Sequence, residues 1–431
     1  MSNSLLDAED VVPQSRWPRT FEAFRDSNFR WFFSALVGNF ASMNIQMFVR
    51  GWLVYEITGS YEKLGWMSAA GGLVGLVAAP IGGVVADRVT QKKHVIQIAQ
   101  FFNALIAGAV GLLIALGDLL FIHLLIASVF QGMVMNIMMP ARQALTKEVV
   151  GLDRLTNAIA LNTSGMNAAR LLLPGLAGFM VASLGGGNGN IDPAKWVYLL
   201  MMLLYFSSVV LMFKVVVDDR PIRVGATPPM LAELRAGFAY VLRTPIIKML
   251  LICNFAMVFF SLTYFMLLPG FAKDVLDAGP DDLGLLISIS GMGSLVGSLL
   301  VASMPNRNRA RALLAGTMLL GIALVGFAWS TNFWLSVVFL TFVGFGQAAR
   351  MSLSNVLVQS YVEDEFRGRV MSIYMLEMSV LSVAIYPISV LADTIGPQLT
   401  VGLSAICLIV LIIGLVQIKR LIQLSSKSSI D

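Results

Sequence analysis

Four charged residues stand inside long apolar stretches of this sequence, where a charge is costly and usually functional. They are the carboxyl residue Glu377 and the arginines Arg50, Arg170 and Arg350. A carboxyl group in a low-dielectric medium favours its neutral form, and an arginine that comes close favours the anion. Glu377 could therefore take up and release a proton as its surroundings change. Arg170 is its preferred partner and Arg350 the reserve, and the three arginines could also bind an anionic group on a small molecule.

Uncharged polar residues accompany these charges at helical spacing. In the first apolar stretch the positions 0, +4, +7 and +11 lie on one helical face, occupied by Asn39, Met43, Gln46 and Arg50. Two later stretches contain similar stripes, formed by Thr163, Asn167 and Arg170, and by Asn254, Ser261 and Phe265 with Tyr264 adjacent. We interpret the Asn, Gln and Tyr residues as substrate contacts. Hydrogen bonding between helices is the alternative for single Asn and Ser residues.

The elements that must position these residues are membrane-spanning helices. The chain is 57% hydrophobic and only 13% charged, whereas a soluble domain carries about 25% charge. A span needs about 20 apolar residues, and the sequence divides into twelve such stretches. They cover residues 30–57, 64–86, 94–116, 121–143, 157–184, 196–215, 246–271, 283–304, 312–329, 333–357, 369–392 and 398–418.

Basic residues predict the orientation of these spans. Of the 30 Lys and Arg residues, three (Arg50, Arg170 and Arg350) lie inside spans away from the cytoplasmic segments, and three lie in loops on one side, at Lys63, Lys195 and Lys273. The other 24 lie within or beside the segments of the opposite side, which include both termini. We therefore expect both termini to be cytoplasmic. Where the net charge of +5 could suggest nucleic-acid binding, this distribution indicates membrane orientation instead.

The longest connector splits the spans into two sets of six. We expect a cytoplasmic N-terminus over 1–29, a six-helix bundle over 30–216, a cytoplasmic linker over 217–245, a second bundle over 246–418 and a tail over 419–431. Trp17, Phe21, Phe24 and Asn28 predict a short amphipathic helix on the membrane surface. The two halves are weakly similar, with Leu64-Gly65 matching Leu283-Gly284 and Gly72 matching Gly291.

Between spans 2 and 3 the sequence reads Gly83-Val-Val-Ala-Asp87-Arg88-Val-Thr-Gln-Lys92-Lys93. This stretch resembles the loop signature of the major facilitator superfamily, Gly-x-x-x-Asp-Arg followed by basic residues. Further stretches are similar to its branch of enterobactin-type siderophore exporters and multidrug effluxers. They are Val54–Ser60, Asn157–Asn162, Asn167–Gly178 and Arg367–Ser372.

The resemblance implies an all-α fold of twelve helices in two bundles, with both termini in the cytoplasm. Helices 1, 4, 7 and 10 would line a central cavity, and helices 2, 5, 8 and 11 would flank it. It also implies a conformational latch, in which Asp87, supported by Gly83 and Arg88, ties loop 2–3 to the start of span 11 near Arg369.

We expect a multi-pass protein of the cell inner membrane, monomeric and embedded in the lipid bilayer. It would exchange protons for amphipathic small molecules such as siderophores or drugs, which makes it an efflux antiporter without a cofactor. An enzyme is not expected, because the sequence shows no catalytic set and no phosphate-binding loop. The alternatives are a lipid or lysophospholipid flippase on the same fold and a non-transporting membrane receptor or scaffold.

Overall fold

The computed structural model describes residues 19–89, 91–151, 154–217, 230–304 and 309–427, and this part of the chain is helical. A short 3-10 helix covers Arg19–Arg25. Thirteen α-helices follow: α1 Ser27–Thr58, α2 Tyr61–Arg88, α3 Lys92–Leu116, α4 Phe121–Val150, α5 Leu155–Ser183, α6 Ala194–Phe213, α7 Met230–Arg243, α8 Pro245–Leu276, α9 Pro280–Ala302, α10 Arg309–Trp329, α11 Phe333–Tyr361, α12 Arg367–Ile395 and α13 Pro397–Lys427.

Eleven helices in the described ranges are long and apolar enough to cross a membrane: α1, α3 to α6 and α8 to α13. Helix α2, with 28 residues, has the length of a span, and its place as the twelfth span stays a prediction. The predicted spans match these helices to within a few residues, except where α4, α8 and α13 continue beyond the apolar stretch. Length and apolar composition therefore located the spans.

Local chemistry explains where helices begin and end. At the start of α1 the carboxylate of Asp26 accepts a hydrogen bond from the backbone N–H of Asn28 at 2.8 Å, which satisfies a donor that the helix leaves free. The helix ends at Gly59, whose φ of +59° is a left-handed conformation that glycine adopts easily. The hydroxyl of Ser60 then caps α2 by accepting from the N–H of Lys63 at 3.3 Å.

We name the two ends of the molecule by their position relative to the connector between α6 and α8. Helix α6 ends and α8 begins at what we call the linker end, and α1 ends and α2 begins at the far end. Helices α1 to α6 form the first set and α8 to α13 the second set. The sets make their most extensive contacts through two helix pairs, α2 with α12 and α5 with α9.

Glycines allow both pairs to pack backbone against backbone. A Cβ atom at Gly178 of α5 would lie 2.3 Å from the carbonyl oxygen of Pro280, and one at Gly284 of α9 would lie 2.5 Å from that of Pro174. In the other pair, a Cβ atom at Gly72 would lie 2.6 Å from the carbonyl oxygen of Ser379. No larger residue fits either crossing without moving a helix.

The glycines that match between the two halves of the sequence occupy corresponding places in these crossings. Gly72 packs against α12, and its counterpart Gly291 would bring a Cβ atom to 3.3 Å from the Cα atom of Leu171 on α5. Gly65 likewise meets Ser389 of α12, and its counterpart Gly284 meets α5. The weak internal similarity thus coincides with repeated packing.

Two segments differ from the sequence-based expectation. The predicted amphipathic helix before the first span is, in the described part, only the 3-10 helix Arg19–Arg25, and Trp17 lies outside the described residues. Half of the expected linker 217–245 is the helix α7. It packs on the second set, because a Cβ atom at Gly237 would lie 3.0 Å from the Cβ atom of Arg369 on α12.

Candidate functional site

A cavity of about 460 Å³ opens between the two sets of helices. Its wall comes mainly from the first set, and α8 and α12 contribute Met266, Ser379 and Ser382. Three sequence-predicted residues of α1 line it, namely Asn39, Gln46 and Arg50. Methionines at several wall positions supply an adaptable apolar surface, so the cavity combines hydrogen-bonding groups with a flexible apolar lining.

Polar side chains of α1, α4 and α6 form a connected network in this wall. The amide of Gln46 donates to the amide oxygen of Gln131 on α4 and accepts a hydrogen bond from the hydroxyl of Tyr205 on α6 at 3.0 Å. One turn further, Nη1 of Arg50 donates to Ser128 Oγ at 3.4 Å. The Arg50 guanidinium has no described acidic partner, which suits it to an anionic group.

Asn39 lies in the same wall, nearer the linker end than Gln46 and Arg50, and is almost fully buried. Its amide nitrogen contacts the sulfur of Met138 at 3.9 Å, and its Oδ1 atom has no hydrogen-bond partner in the described residues. A buried polar atom without a partner costs free energy unless a ligand or water satisfies it. The position is consistent with a ligand contact.

A second polar cluster surrounds Glu377 in the second set. The amide nitrogen of Asn254 on α8 donates to Oε2 of Glu377 at 2.5 Å, and both side chains are buried. The guanidinium of Arg350 on α11 is within electrostatic range of the Glu377 carboxyl and donates through Nε to Gln347 Oε1 at 2.9 Å. The second carboxyl oxygen, Oε1, has no hydrogen-bond partner in the described part.

The structure thus brings Glu377, Arg350 and Asn254 together. Arg170 lies on α5, where its side chain is exposed and within electrostatic range of Tyr264. Tyr264 is itself buried and shares a 3.3 Å hydrogen bond with Ser290 of α9. Asn167 is half-buried on α5. Of the two arginines considered for Glu377, the reserve partner Arg350 is the one in its cluster, and every functional role named here stays a prediction.

The residues of the proposed latch are described only in part. Gly83, Asp87 and Arg88 belong to α2, but their side-chain surroundings lie outside the described part of the structure. Arg369 is half-buried at the start of α12, and its guanidinium lies 5.3 Å from the ring centroid of Phe366. The latch itself therefore stays a prediction.

At the far end the two sets are tied by a dense group of hydrogen bonds. The carboxylate of Asp393, at the end of α12, accepts from the hydroxyl of Ser60 and from the backbone N–H groups of Tyr61 and Glu62, each at 2.8 Å. A helix start from the first set is thus capped by a residue of the second set.

Charged and phenolic groups add to this far-end closure. Lys273 of α8 forms a 3.0 Å ion pair with the largely buried Glu56 of α1. The carboxylate of Asp274 accepts from the hydroxyls of Tyr55 and Tyr61, at 3.0 Å for Tyr61. All of these ties lie at the far end, so the structure is closed there.

Several wall residues were not identified from the sequence. Gln131 and Ser128 lie three positions apart on α4, and Asn103 reaches the cavity from α3. A stripe on α3, formed by Gln97, Gln100 and Asn103, is buried. These residues are three positions apart and so lie on one face of the helix, a pattern from which a polar face on α3 could have been predicted. Tyr205 of α6 has the buried Ser208 three positions further on, a weaker form of the same pattern.

Comparison with known proteins agrees with this architecture. The sequence profile of the Major Facilitator Superfamily matches residues 32–376 and 250–421. The multidrug efflux pump Tap of Mycolicibacterium fortuitum is 26% identical over 411 residues, which cover 92% of this chain and 97% of the pump. The staphyloferrin A transporter of Staphylococcus aureus is 23% identical over 290 residues, covering 66% of this chain and 70% of that protein.

Solved structures show the same fold. A mutant of the nucleoside transporter NupG superposes with a TM-score of 0.71 at 13% sequence identity, covering 90% of this chain and 98% of NupG. The resemblance to the siderophore-exporter and multidrug-efflux branch is confirmed by the two sequence relatives. With the profile matching across both sets of helices, the chain belongs to the major facilitator superfamily and is a membrane transporter rather than an enzyme.

Proposed function

We propose that this transporter is a proton-coupled exporter of amphipathic small molecules, such as siderophores or drugs. The observation that carries the proposal is the pairing of a polar, methionine-rich cavity with a separate buried cluster of Glu377, Asn254 and Arg350. The names of the two sequence relatives, a multidrug efflux pump and a siderophore transporter, support the substrate class.

Glu377 carries the proton in this proposal. Its carboxyl has one oxygen bound to Asn254 and one without a described partner, so a proton can be accommodated without breaking the existing bond. The nearby guanidinium of Arg350 favours the carboxylate, and removal of that guanidinium by a helix movement favours the neutral acid. The site therefore changes its proton affinity with conformation.

The substrate binds in the cavity, with Asn39, Gln46 and Arg50 as contacts. Arg170, Asn167 and Tyr264 complete the site when the two sets approach in another conformation. Transport proceeds by alternating access, with the bundles 30–216 and 246–418 rocking about the cavity. The protein lies in the inner membrane as a monomer with both termini in the cytoplasm, so the far end faces outward and is closed in this structure.

Transport by the purified protein in proteoliposomes tests the proposal. With an imposed pH gradient, we expect accumulation of a siderophore or of a dye such as ethidium against its concentration gradient. The control is the Asp192→Asn variant. It removes an exposed far-end carboxylate that, among the described residues, forms an ion pair with Lys195 alone, and it should transport like the wild type. Failure to accumulate any of these compounds under a gradient would contradict the proposal.

A lipid or lysophospholipid flippase is the second candidate, because it would use the same fold. The polar network of Gln46, Gln131 and Tyr205 favours a polar-headed small molecule in the cavity over an acyl chain. A fluorescent lysophospholipid assayed in the same liposomes separates the candidates, since transfer of the lipid without siderophore or dye accumulation identifies the flippase. A receptor or scaffold would move neither.

A further inference from the structure

A second cavity, of about 320 Å³, lies in the first set of helices closer to the linker end. It is lined by α1, α4 and α5 at positions within about 13 residues of where these helices begin or end there. The lining combines apolar residues, among them Leu36, Ile159 and Met166, with polar residues that include Arg142, Asn162 and Thr163. The large cavity includes none of these residues.

Arg142 is an arginine with an uncompensated charge. It is half-buried on α4, and it forms no ion pair among the described residues. Its Nη1 atom is buried and has no hydrogen-bond partner in the described part of the chain. A buried guanidinium without an acidic partner costs free energy. An anion that supplies the missing acceptor offsets this cost, so the cavity favours an anionic ligand.

An aromatic ring restrains the position of the Arg142 guanidinium. The guanidinium lies over the ring of Phe40 on α1, 5.1 Å from its centroid, which is a cation–π contact. The N–H groups of an arginine project from the edge of the guanidinium plane in a fork that matches a carboxylate or phosphate. The apolar residues of the same lining, such as Ile159 and Met166, suit an adjoining aromatic or aliphatic group.

We infer that this cavity is a capture subsite for the anionic group of an amphipathic substrate, bound through Arg142, with the apolar part of the substrate against Ile159 and Met166. The inference rests on the proposed function and adds a first binding position. Because the far end is closed and the cavity lies towards the linker end, an arriving substrate meets Arg142 before it reaches Arg50 in the large cavity. A soluble carboxylate and a lipid headgroup phosphate share the required chemistry.

Equilibrium binding tests the subsite without any gradient or flux, so its outcome is separate from that of the transport assay. The protein in phosphatidylcholine nanodiscs is titrated with dansyl-phenylalanine, an anionic aromatic probe, and with its neutral carboxamide. We expect the wild type to bind the acid about tenfold more tightly than the carboxamide, which is typical of a hydrogen bond to a charged group. Equal affinities in the wild type would overturn the inference.

Variants assign the preference to Arg142. In an Arg50→Gln background, which removes the guanidinium that the proposed function assigns to the large cavity, adding Arg142→Gln should leave binding of the carboxamide unchanged and abolish the preference for the acid. The matched control is Lys147→Gln, which removes an exposed positive charge from the same helix and should keep the preference. If Arg142→Gln does not fold, Gln143→Glu replaces it, because a carboxylate at this exposed neighbouring position would neutralise the subsite. Preference retained in the Arg142 variant, or in Gln143→Glu where that stands in, overturns the assignment.

The lipid composition distinguishes the two sources of the anion. In nanodiscs that contain phosphatidylglycerol, a headgroup that occupies the subsite would weaken binding of the acid probe to the wild type but not to Arg142→Gln. Unchanged affinity in those nanodiscs identifies a soluble substrate as the occupant. Both results require an anion-binding Arg142, and they differ only in what supplies the anion.

Discussion

At the scale of single residues, the carboxyl group of Glu377 has the most specific proposed role. We expect Glu377→Gln to abolish transport driven by a pH gradient while leaving substrate exchange at equal pH intact. Glutamine cannot carry a proton, but its amide can still hydrogen-bond Asn254, which holds Glu377 at 2.5 Å. Parallel flux measurements in proteoliposomes, with and without a gradient, provide the check.

The same variant separates coupling from a structural role. If Glu377 only holds α8 and α12 together, driven transport and exchange should fall together and the thermal stability should fall with them. A glutamine variant that still concentrates substrate against a gradient would remove Glu377 as the proton carrier. Coupling would then have to use another group.

Sequence reasoning found the charged residues of the candidate site but not all of their neighbours. A carboxylate or an arginine in an apolar stretch is conspicuous, so Glu377, Arg50 and Arg350 could be predicted from the cost of burying charge. Which arginine approaches Glu377 depends on how α11 and α12 pack, and the sequence carries no such information. Arg142 was overlooked for a different reason. It lies next to the predicted end of span 4, where an arginine normally reaches the surface.

At the scale of helices, the cap that Asp393 provides for α2 should control opening of the far end. The Asp393→Asn variant has only one acceptor oxygen, so it cannot accept both from Tyr61, which now uses Oδ1, and from Ser60 and Glu62, which now share Oδ2. Losing a helix cap costs about 1 kcal/mol, or roughly a fivefold change in a two-state balance. We expect far-end-open molecules to increase by that factor.

Spin labels can measure this shift at four exposed positions. Leu120 and Trp334 report the distance between the sets at the far end, and Lys147 and Tyr361 report it at the linker end. Asp393→Asn should lengthen the first distance and shorten the second, and Asp192→Asn should change neither. Unchanged distance distributions in Asp393→Asn would mean that the cap does not contribute to closure.

The predicted latch at the opposite end of α2 should have the opposite effect. If Asp87 binds the start of α12 when the protein faces outward, Asp87→Asn removes that bond and increases the far-end-closed population. Expression and substrate binding should be kept, while transport is largely lost. The same spin-label pairs measure the change, and normal flux with unchanged distances would exclude the latch.

Close packing at the crossing of α5 and α9, like the polar contacts above, should control closure of the far end. Gly178→Val should prevent closure of the far end, because even a Cβ atom would lie 2.3 Å from the carbonyl oxygen of Pro280. We expect the far-end-closed population to be largely lost. Gly414→Val is the control, since a Cβ atom at Gly414 would meet no atom within 4 Å. A Gly178 variant that closes normally would show that the crossing adapts.

The helices themselves were the most predictable part of the structure. Apolar length identified the spans because the membrane imposes it. Helix α7 was not predicted, because its 14 residues lie in a connector that contains prolines and charges and has no apolar run. Its sequence is amphipathic, and packing on α12 stabilises the helix.

At the scale of the whole molecule, the distribution of basic residues predicts which end faces the cytoplasm. In a background without Cys253 and Cys407, cysteines at Asn188 and Asp277 should react with an impermeant thiol reagent applied to intact cells, because both positions are exposed at the far end. A cysteine at Tyr361, exposed at the linker end, should react only after permeabilisation. The reverse pattern would invert the topology and turn export into uptake.

The two glycine crossings also restrict how the sets of helices can move. Gly72 meets Ser379 and Gly291 meets Leu171, and each glycine lies eleven residues into its helix, from Tyr61 and from Pro280. Both contacts are therefore about 16 Å from the far end of their helices. If both contacts are kept, one set of helices can move relative to the other only by rotation about the line that joins the two contacts. Because the two contacts lie at the same distance along their helices from the far end, rotation about that line would widen one mouth as it narrows the other.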